Sequence, residues 1–405
     1  MSIPSDHSRR NGTRNRDIEC LRAVAVLGVA FHHAQGNLFH PGIPWMARLS
    51  QHAQFWIGVD LFFAISGFVI ARSLLPQMAA HTGHLRTQGG VIGGFWIRRF
   101  WRLVPSAWLW LGLILLASFG WNRSAAFGSV HANLMATLAG MFDFANFRFA
   151  DAFFRYPYGA SFVYWSLSLE EQFYLLLPLL VVLLRRRIDL LMVALVLIQL
   201  CLLRTPLLMS VRTDALALGV LLAIAAPGKA CRAADPHALL RLGAWRILLP
   251  CLLLTCLAWL ASADEQGFQF RISAIAAVSA ILVWLASYDR DYLLPESAFK
   301  EVLVWIGARS YAIYLIHIPV YFLLRELCFR LGDSVTLPPW SLALLATALI
   351  VLLADLNYRG VEQPLRERGK RVAARFEERW KTRHSGAVAP ILLPSTDPGL
   401  DRSGQ

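Results

Sequence analysis

Residues 18–34, IECLRAVAVLGVAFHHA, form an apolar run that is long enough to cross a bilayer and yet contains Arg22, His32 and His33. A charge inside a membrane segment costs roughly 2.5–3.5 kcal/mol, so such residues are candidate functional residues. Arg22 and His33 are about three helical turns and roughly 16 Å apart along a helix, so they share one face. That face presents a fixed cation at one depth and a titratable base at another. Alternatively, Arg22 extends to the lipid headgroups and a histidine caps the far end of the helix.

The composition places the chain among membrane proteins with several spans. The chain has 405 residues, of which 57% are hydrophobic and 16% are charged. A soluble domain has about 45–50% apolar and about 25% charged residues. The net charge is +13, but the basic residues cluster in short loops and at the termini, which is typical of membrane orientation and lipid contact rather than nucleic-acid binding. The six cysteines form no C-x-x-C pair and no zinc spacing, so we expect free thiols and no structural metal.

The apolar runs predict an all-α integral membrane bundle of about ten transmembrane helices with both termini in the cytoplasm. They lie at about 18–34, 54–75, 103–120, 161–184, 188–203, 212–226, 246–262, 271–288, 302–324 and 340–357. Residues 131–147 are apolar but short and hold polar side chains. We expect them to lie in the interface or to re-enter, because a full crossing would put the triple arginine at 185–187 outside. Residues 1–17 are predicted to be a disordered cytoplasmic N-terminus, 18–365 the transmembrane domain, and 366–405 a basic amphipathic and then disordered cytoplasmic tail.

Two carboxylates are candidates for orienting His33. Asp60 lies near the non-cytoplasmic end of the second run, at a depth similar to His33 if the first two runs are antiparallel. An Asp–His pair would fix the tautomer of the imidazole and raise its basicity. Glu170 in the fourth run could orient the histidine or hold a cation. The structural alternatives are that Asp60 caps its helix and that Glu170 pairs with an arginine. Ser66 lacks the G-x-S-x-G context of a nucleophile, so we predict a small-residue packing site there.

Arginines cluster at the cytoplasmic end of the third run, at Arg98, Arg99 and Arg102. Anchoring by positive charge is the ordinary explanation. However, the guanidinium fork suits phosphate, and Arg22 and Arg72 lie near the same face. A multiply phosphorylated molecule such as coenzyme A would explain this convergence. No Walker A or Rossmann glycine pattern occurs, so nucleotide hydrolysis and hydride transfer have no support.

His317 is a second intramembrane histidine, in the ninth run, flanked by Tyr311 and Tyr314. A lone histidine on an apolar helix more often has a structural role than a catalytic one. Both readings are retained for His317.

Seven stretches, in order, resemble the acyltransferase-3 family of membrane O-acyltransferases: RDIECLRAVAVLGVAFHH, GVDLFFAISGFVIARSL, FWIRRFWRLVP, YWSLSLEEQFYLLLP, RTDALALGVLLA, GARSYAIYLIHIPV and VEQPLRER. The resemblance covers roughly residues 17–365. The family's arginine–ten residues–histidine pattern falls on Arg22 and His33, and the acidic residue of its W-S-L-x-x-E stretch falls on Glu170. His32 stands where the family is usually apolar. We do not expect the fused esterase-like periplasmic domain of some members, because the chain ends soon after the last predicted span.

The resemblance implies an O-acyltransferase (EC 2.3.1) that transfers an acyl group from cytoplasmic acyl-CoA to a glycan hydroxyl. Acetyl is the acyl group we expect. His33 would be the general base, oriented by Asp60 or Glu170, although a covalent acyl-histidine step is an alternative. Acetyl-CoA would be a co-substrate rather than a permanently bound cofactor. Its phosphates would be held by Arg22, Arg72, Arg98, Arg99 and Arg102. Further residues with a substrate or structural role are expected to be His32, Trp165, Ser166, Tyr311, His317 and Glu362.

The implied location is the bacterial cytoplasmic (inner) membrane, crossed several times. The expected partners are membrane lipid and a cell-envelope, lipopolysaccharide or lipid-linked saccharide acceptor, without nucleic acid, and the sequence is compatible with an oligomer. A small-molecule acceptor such as an antibiotic is one alternative. A glycan transporter or flippase is another, although the paired repeats of many transporters are not visible.

Overall fold

The computed structural model describes residues 14–40, 42–81, 85–153, 155–262, 269–332 and 337–385, and the regular secondary structure of these residues is helical. The parts predicted as disordered within 1–13 and 386–405 lie outside the described residues. The helices are α1 Arg16–Asn37, α2 Pro44–His52, α3 Gly58–Ala79, α4 Leu85–Gly120, α5 Val130–Met141, α6 Ala145–Ala152, α7 Tyr164–Leu184, α8 Ile188–Cys201, α9 Pro206–Ser210, α10 Asp214–Ala225, α11 Lys229–Ala233, α12 Ala238–Arg241, α13 Leu248–Leu260, α14 Arg271–Ser287, α15 Ala298–Ala308, α16 Ser310–Leu331, α17 Pro339–Asn357 and α18 Gln363–Ser385.

Seven helical segments of the described ranges are long and apolar enough to cross a membrane: Gly58–Ala79, Thr87–Gly120, Tyr164–Leu184, Pro206–Ala225, Gly243–Leu260, Ser310–Leu331 and Pro339–Arg383. The apolar helices α8 and α14 are shorter. The chain is therefore a multi-pass membrane protein. Its surface is apolar, as contact with lipid requires: Leu116 and Phe119 of α4 and Leu344 and Leu352 of α17 are each more than half exposed. The charged Asp60, in contrast, is fully buried inside the bundle.

Helix α1 begins where its capping residues predict. The side chain of Asn15 accepts a hydrogen bond from the backbone N–H of Ile18, and Asp17 stands in the first turn. Asp17 is buried against the ammonium of Lys300, at 2.7 Å, and Asp291 contacts the same ammonium at 2.6 Å. This cluster fixes the start of α1 against α15.

The ninth predicted span, 302–324, is wrong as a single helix. The chain changes direction at Arg309, which separates α15 from α16. The Arg309 guanidinium bonds Asp355 at 2.7 Å and lies over the rings of Trp305 and Tyr358. These contacts hold the break, and α15 packs along α1 instead of extending α16.

The Ser66-Gly67 pair lies at a close helix crossing, between α3 and α10. A Cβ at Gly67 would overlap the carbonyl oxygen of Leu216, and one at Gly219 would overlap that of Ala64. Gly67 therefore packs as predicted. Ser66 differs from the prediction, because its hydroxyl donates to Glu170.

Residues 131–147 lie mostly in two short helices, α5 and α6, and neither is among the helices long enough to span a membrane. The predicted domain boundary at 365/366 falls inside α18. This helix packs along α4, where Gly93 and Gly94 leave room for Phe376 and Glu377. The tail is thus part of the bundle as far as Ser385.

Candidate active site

A wide cavity of about 760 Å³ opens beside the start of α1. We call it the basic mouth, because six cationic side chains line it and three carboxylates accompany them. The cations are Arg14, Arg22, Arg72, Arg102, Arg366 and Lys370, and the carboxylates are Glu19, Asp289 and Glu362. The convergence of Arg22, Arg72 and Arg102 expected from the sequence is therefore present.

A narrower cavity of about 80 Å³, the inner cavity, adjoins the basic mouth. Arg22, Arg102 and Tyr311 line both cavities, so they form the passage between them. Deeper in, the walls include Arg99, Glu170 and apolar side chains of α3. The basic mouth is large enough for a nucleotide, whereas the inner cavity has room only for a thin chain.

The cations of this passage differ in their partners. Arg22 pairs with Glu19 at 3.0 Å, one turn away on α1. Within the described ranges, no carboxylate lies at salt-bridge distance from Arg99 or Arg102; Arg99 instead lies over the rings of Phe95 and Tyr174. Cations that line a cavity and form no salt bridge favour an anionic ligand there.

Arg98 and Arg72 occupy different places from each other. Arg98 pairs with Glu377 of α18 at 2.6 Å and lines neither the basic mouth nor the inner cavity, so it lies apart from the other four arginines expected to hold phosphate. Its position on α4 turns it toward the packed tail helix. Arg72 lies at the rim of the basic mouth, with its guanidinium over Phe68.

Glu170 belongs to the arginine side of the site rather than to His33. Its carboxylate accepts hydrogen bonds from the hydroxyls of Ser66 and Tyr174 and lines the inner cavity. The expectation that Glu170 contacts the histidine is therefore wrong. Tyr174 is one turn away on the same helix, but nothing in the sequence around Glu170 indicates that Ser66 of α3 would face it.

His33 forms a pair with His317. Nδ1 of His33 lies 3.0 Å from Nε2 of His317, and Nδ1 of His317 lies 3.2 Å from the carbonyl oxygen of Ile313. A carbonyl only accepts, so Nδ1 of His317 carries the proton and its Nε2 accepts from His33. This network assigns the proton of neutral His33 to Nδ1 and leaves the lone pair on Nε2, which is the arrangement of an oriented base.

A third cavity of about 300 Å³, the histidine cavity, is lined by His32, His33 and Phe162 together with side chains of α2. No residue lines both this cavity and the inner cavity within the described chain. Tyr314 forms the wall of the inner cavity and its ring lies 5.7 Å from that of His317. A chain of contacts through Tyr314 and His317 thus connects the inner cavity to His33.

Asp60 does not contact His33, which corrects the expected Asp–His dyad. Both of its carboxylate oxygens bond Arg212, at 2.8 and 2.9 Å, and both side chains are buried. The Arg212 guanidinium also lies 4.8 Å from the centre of the Trp165 ring. Sequence reasoning missed Arg212, although a charged R-T-D triplet before an apolar run was a usable signal for a buried ion pair.

The remaining predicted residues line or support these cavities. The Ser166 hydroxyl lies 2.7 Å from that of Tyr314, and the Tyr311 hydroxyl donates to the carbonyl of Leu103 at 2.9 Å. Glu362 lines the basic mouth and accepts from the Asn357 amide at 2.9 Å. The ring of His32 lies 5.4 Å from that of His33.

A membrane-embedded bundle with a cationic mouth, a narrow inner cavity and a buried histidine pair has the layout of an enzyme that works within the bilayer. The family model described as "Acyltransferase domain" matches residues 15–359. The chain therefore belongs to this acyltransferase family, the acyltransferase-3 family expected from its motifs.

Curated relatives agree with this membership. The chain is 27% identical over 400 residues to YrhL of Bacillus subtilis (strain 168), which carries a provisional assignment as a peptidoglycan O-acetyltransferase; the match covers 90% of this chain and 58% of YrhL. It is 28% identical over 377 residues to the peptidoglycan O-acetyltransferase OatA of Listeria monocytogenes, and the match covers 87% of this chain and 56% of that protein. It is 24% identical over 397 residues to the O-acetyltransferase OatA of Staphylococcus aureus (strain MRSA252), and the match covers 93% of this chain and 61% of that protein. The chain thus spans less than two thirds of the length of these relatives. No solved structure matches it.

Proposed function

We propose that the chain is an integral-membrane O-acetyltransferase that moves the acetyl group of acetyl-CoA to a hydroxyl of a cell-envelope glycan. The observation that supports this donor is the convergence of Arg22 and Arg102 at the passage with Arg99 deeper in the inner cavity. Among the described residues, Arg99 and Arg102 form no salt bridge. Phosphates of coenzyme A supply the anionic charge that these guanidinium groups lack. The narrow inner cavity then receives the thioester end.

His33 acts as the general base. A sugar hydroxyl is a weak nucleophile near neutral pH, so its proton must be removed as it attacks. Nε2 of His33 takes that proton while the hydroxyl oxygen bonds the acetyl carbon and the carbon–sulfur bond breaks. The proton then passes to the thiolate of coenzyme A, which balances the reaction. His317 acts as a positioning residue, because its Nε2 holds the Nδ1 proton of His33.

Access between donor and base requires a movement of Tyr314. Its hydroxyl bonds Ser166 at 2.7 Å and the carbonyl of Val163 at 3.1 Å, and its ring closes the inner cavity short of His317. We infer that this closed arrangement keeps the thioester away from water until an acceptor is bound.

The relatives suggest the acceptor, and the basic loops suggest the topology. Two relatives are named for peptidoglycan, so a glycan of the cell wall is the acceptor that the relatives favour, and a small-molecule acceptor is the alternative. Ten crossings result if α1, α8 and α14 also span the membrane. Both termini then lie in the cytoplasm, where the basic loops and the basic mouth face acetyl-CoA.

The test uses the purified full-length chain in phosphatidylcholine nanodiscs, supplied with acetyl-CoA and soluble peptidoglycan fragments. We expect release of free thiol together with an acetyl-mass gain on the glycan. His33→Ala should lower the rate by about 10²–10⁴-fold, the usual contribution of a general base, with unchanged binding of coenzyme A. His317→Ala should lower it about 10–100-fold, and His317→Gln, whose amide oxygen can still accept from Nδ1 of His33, should recover most of that loss.

His32→Ala is the matched control, because His32 lines the same cavity without a bond to His317. Its rate should stay within about threefold of the parent chain. Full activity of the His33→Ala variant would overturn the assignment of the base. Absence of thiol release with every hydroxyl acceptor would favour a transporter instead.

A further inference from the structure

We propose that the tail helix α18 completes the donor site, with Arg366 and Lys370 binding the 3′-phosphate of coenzyme A. The proposal rests on the proposed function, because it takes acyl-CoA as the donor. The sequence suggested phosphate binding for neither residue, although Arg366 lies in the last resembling stretch, VEQPLRER. Both come instead from a helix that follows the matched family region, residues 15–359.

Arg366 and Lys370 are one helical turn apart on α18, and both line the basic mouth. Nε of Arg366 is buried and has no hydrogen-bond partner, and no carboxylate lies at salt-bridge distance from this side chain within the described ranges. The Lys370 ammonium contacts Glu367 at 2.9 Å, but both side chains are more than half exposed. Such a pair is weak enough for a stronger anion to displace.

Helix α18 is fixed in place, so these cations are held ready for a ligand. Gly369 packs against the ring of Trp101, and Gly93 of α4 lies against the ring of Phe376. The Arg98–Glu377 pair adds a polar contact on the same interface. A rigid support lowers the entropy lost when a ligand is bound, which favours specific recognition.

The position along the passage selects the 3′-phosphate rather than the diphosphate. Arg22 and Arg102 line both the mouth and the inner cavity, whereas Arg366 and Lys370 line the mouth alone. When the thioester end enters the inner cavity, the diphosphate lies nearer Arg22 and Arg102, and the nucleotide end remains in the mouth. A phosphomonoester carries about two negative charges, which match two cations, whereas a phospholipid phosphodiester carries one.

The experiment measures the binding of coenzyme A and of 3′-dephospho-coenzyme A to the full-length chain in phosphatidylcholine nanodiscs by isothermal titration calorimetry. We expect the parent chain to bind coenzyme A about tenfold more tightly than the dephospho form. The double variant Arg366→Gln/Lys370→Gln should lose this ratio and bind the two ligands equally, with unchanged affinity for the dephospho form. Arg375→Gln/Lys381→Gln is the matched control, because it removes the same charges from exposed positions of the same helix, and it should keep the ratio.

Three outcomes would overturn the proposal, and they have different meanings. If the parent chain binds neither ligand, both this proposal and the proposed function are wrong. If the parent chain prefers coenzyme A but the double variant keeps that preference, the 3′-phosphate lies elsewhere and the donor assignment survives. If the double variant changes only the response to added phosphatidylglycerol, the two cations bind lipid headgroups.

Discussion

Two groups of intramembrane arginines in this molecule have opposite surroundings. Arg212 is buried with a bidentate carboxylate partner, Asp60, and its guanidinium lies over an aromatic ring. Arg102 lines the passage from the basic mouth, and within the described residues it has neither a salt bridge nor a hydrogen bond. Arg102 lies within α4 and Arg212 just before α10, so the two differ in their surroundings and not in residue type.

The difference indicates which charges stabilise the fold and which are available to bind a ligand. A satisfied buried pair contributes mainly by avoiding the penalty of an unpaired charge. A cation without a partner beside a cavity lowers the stability of the ligand-free protein but gains when an anion binds. We therefore expect substitutions in the two groups to separate stability from donor binding.

The largest effect is expected for Arg212→Met, which leaves the Asp60 carboxylate buried without a partner. Breaking one side of such a pair costs about 3–5 kcal/mol, so the free energy of unfolding should fall by that amount. The measurement is the unfolding transition in detergent, followed by tryptophan fluorescence.

The control is Arg212→Met/Asp60→Leu, which removes both charges and should recover most of the lost stability. A single variant that unfolds like the parent chain would contradict a structural role for the pair. Asp60 would then again be a candidate for a role in catalysis.

The same contrast explains how far the sequence could predict this site. The sequence predicts Arg22, Arg72 and Arg102 at one membrane depth, because helix ends with basic residues share a side of the membrane. All three side chains line the basic mouth. The Asp60–Arg212 pair joins residues 152 positions apart, and no local pattern encodes which distant side chain meets a carboxylate.

The helices follow the same division between local and distant information. Apolar runs predicted nearly all the long helices, because run length and hydropathy are local properties. The break at Arg309 depends on Asp355 of another helix, so the ninth run was wrongly predicted as one span. The His33–His317 pair similarly joins α1 to α16, and the sequence offered the two histidines only as separate candidates.

An intermediate effect is expected for Arg102→Gln, and it should fall on binding rather than on folding. Loss of one charge-assisted contact to phosphate should weaken the binding of coenzyme A about tenfold. The free energy of unfolding without ligand should not fall, and should rise by no more than about 1 kcal/mol, because an unpaired cation is removed. Calorimetric titration and the unfolding transition measure the two quantities on one sample. A loss of stability comparable to that of Arg212→Met would show that Arg102 belongs to the structural group.

The smallest effect is expected for Arg98→Gln, one turn before Arg102 on the same helix. Arg98 lies away from the basic mouth and the inner cavity, and its partner Glu377 is, like Arg98 itself, about one third exposed. Partly exposed pairs contribute about 0–1 kcal/mol, so stability should change by less than that. The affinity for coenzyme A should stay within about twofold of the parent value, because no phosphate contact is lost. Since Arg98→Gln and Arg102→Gln make the same chemical change four residues apart, equal losses of affinity would mean that total positive charge, rather than the placement of individual guanidinium groups, binds the donor.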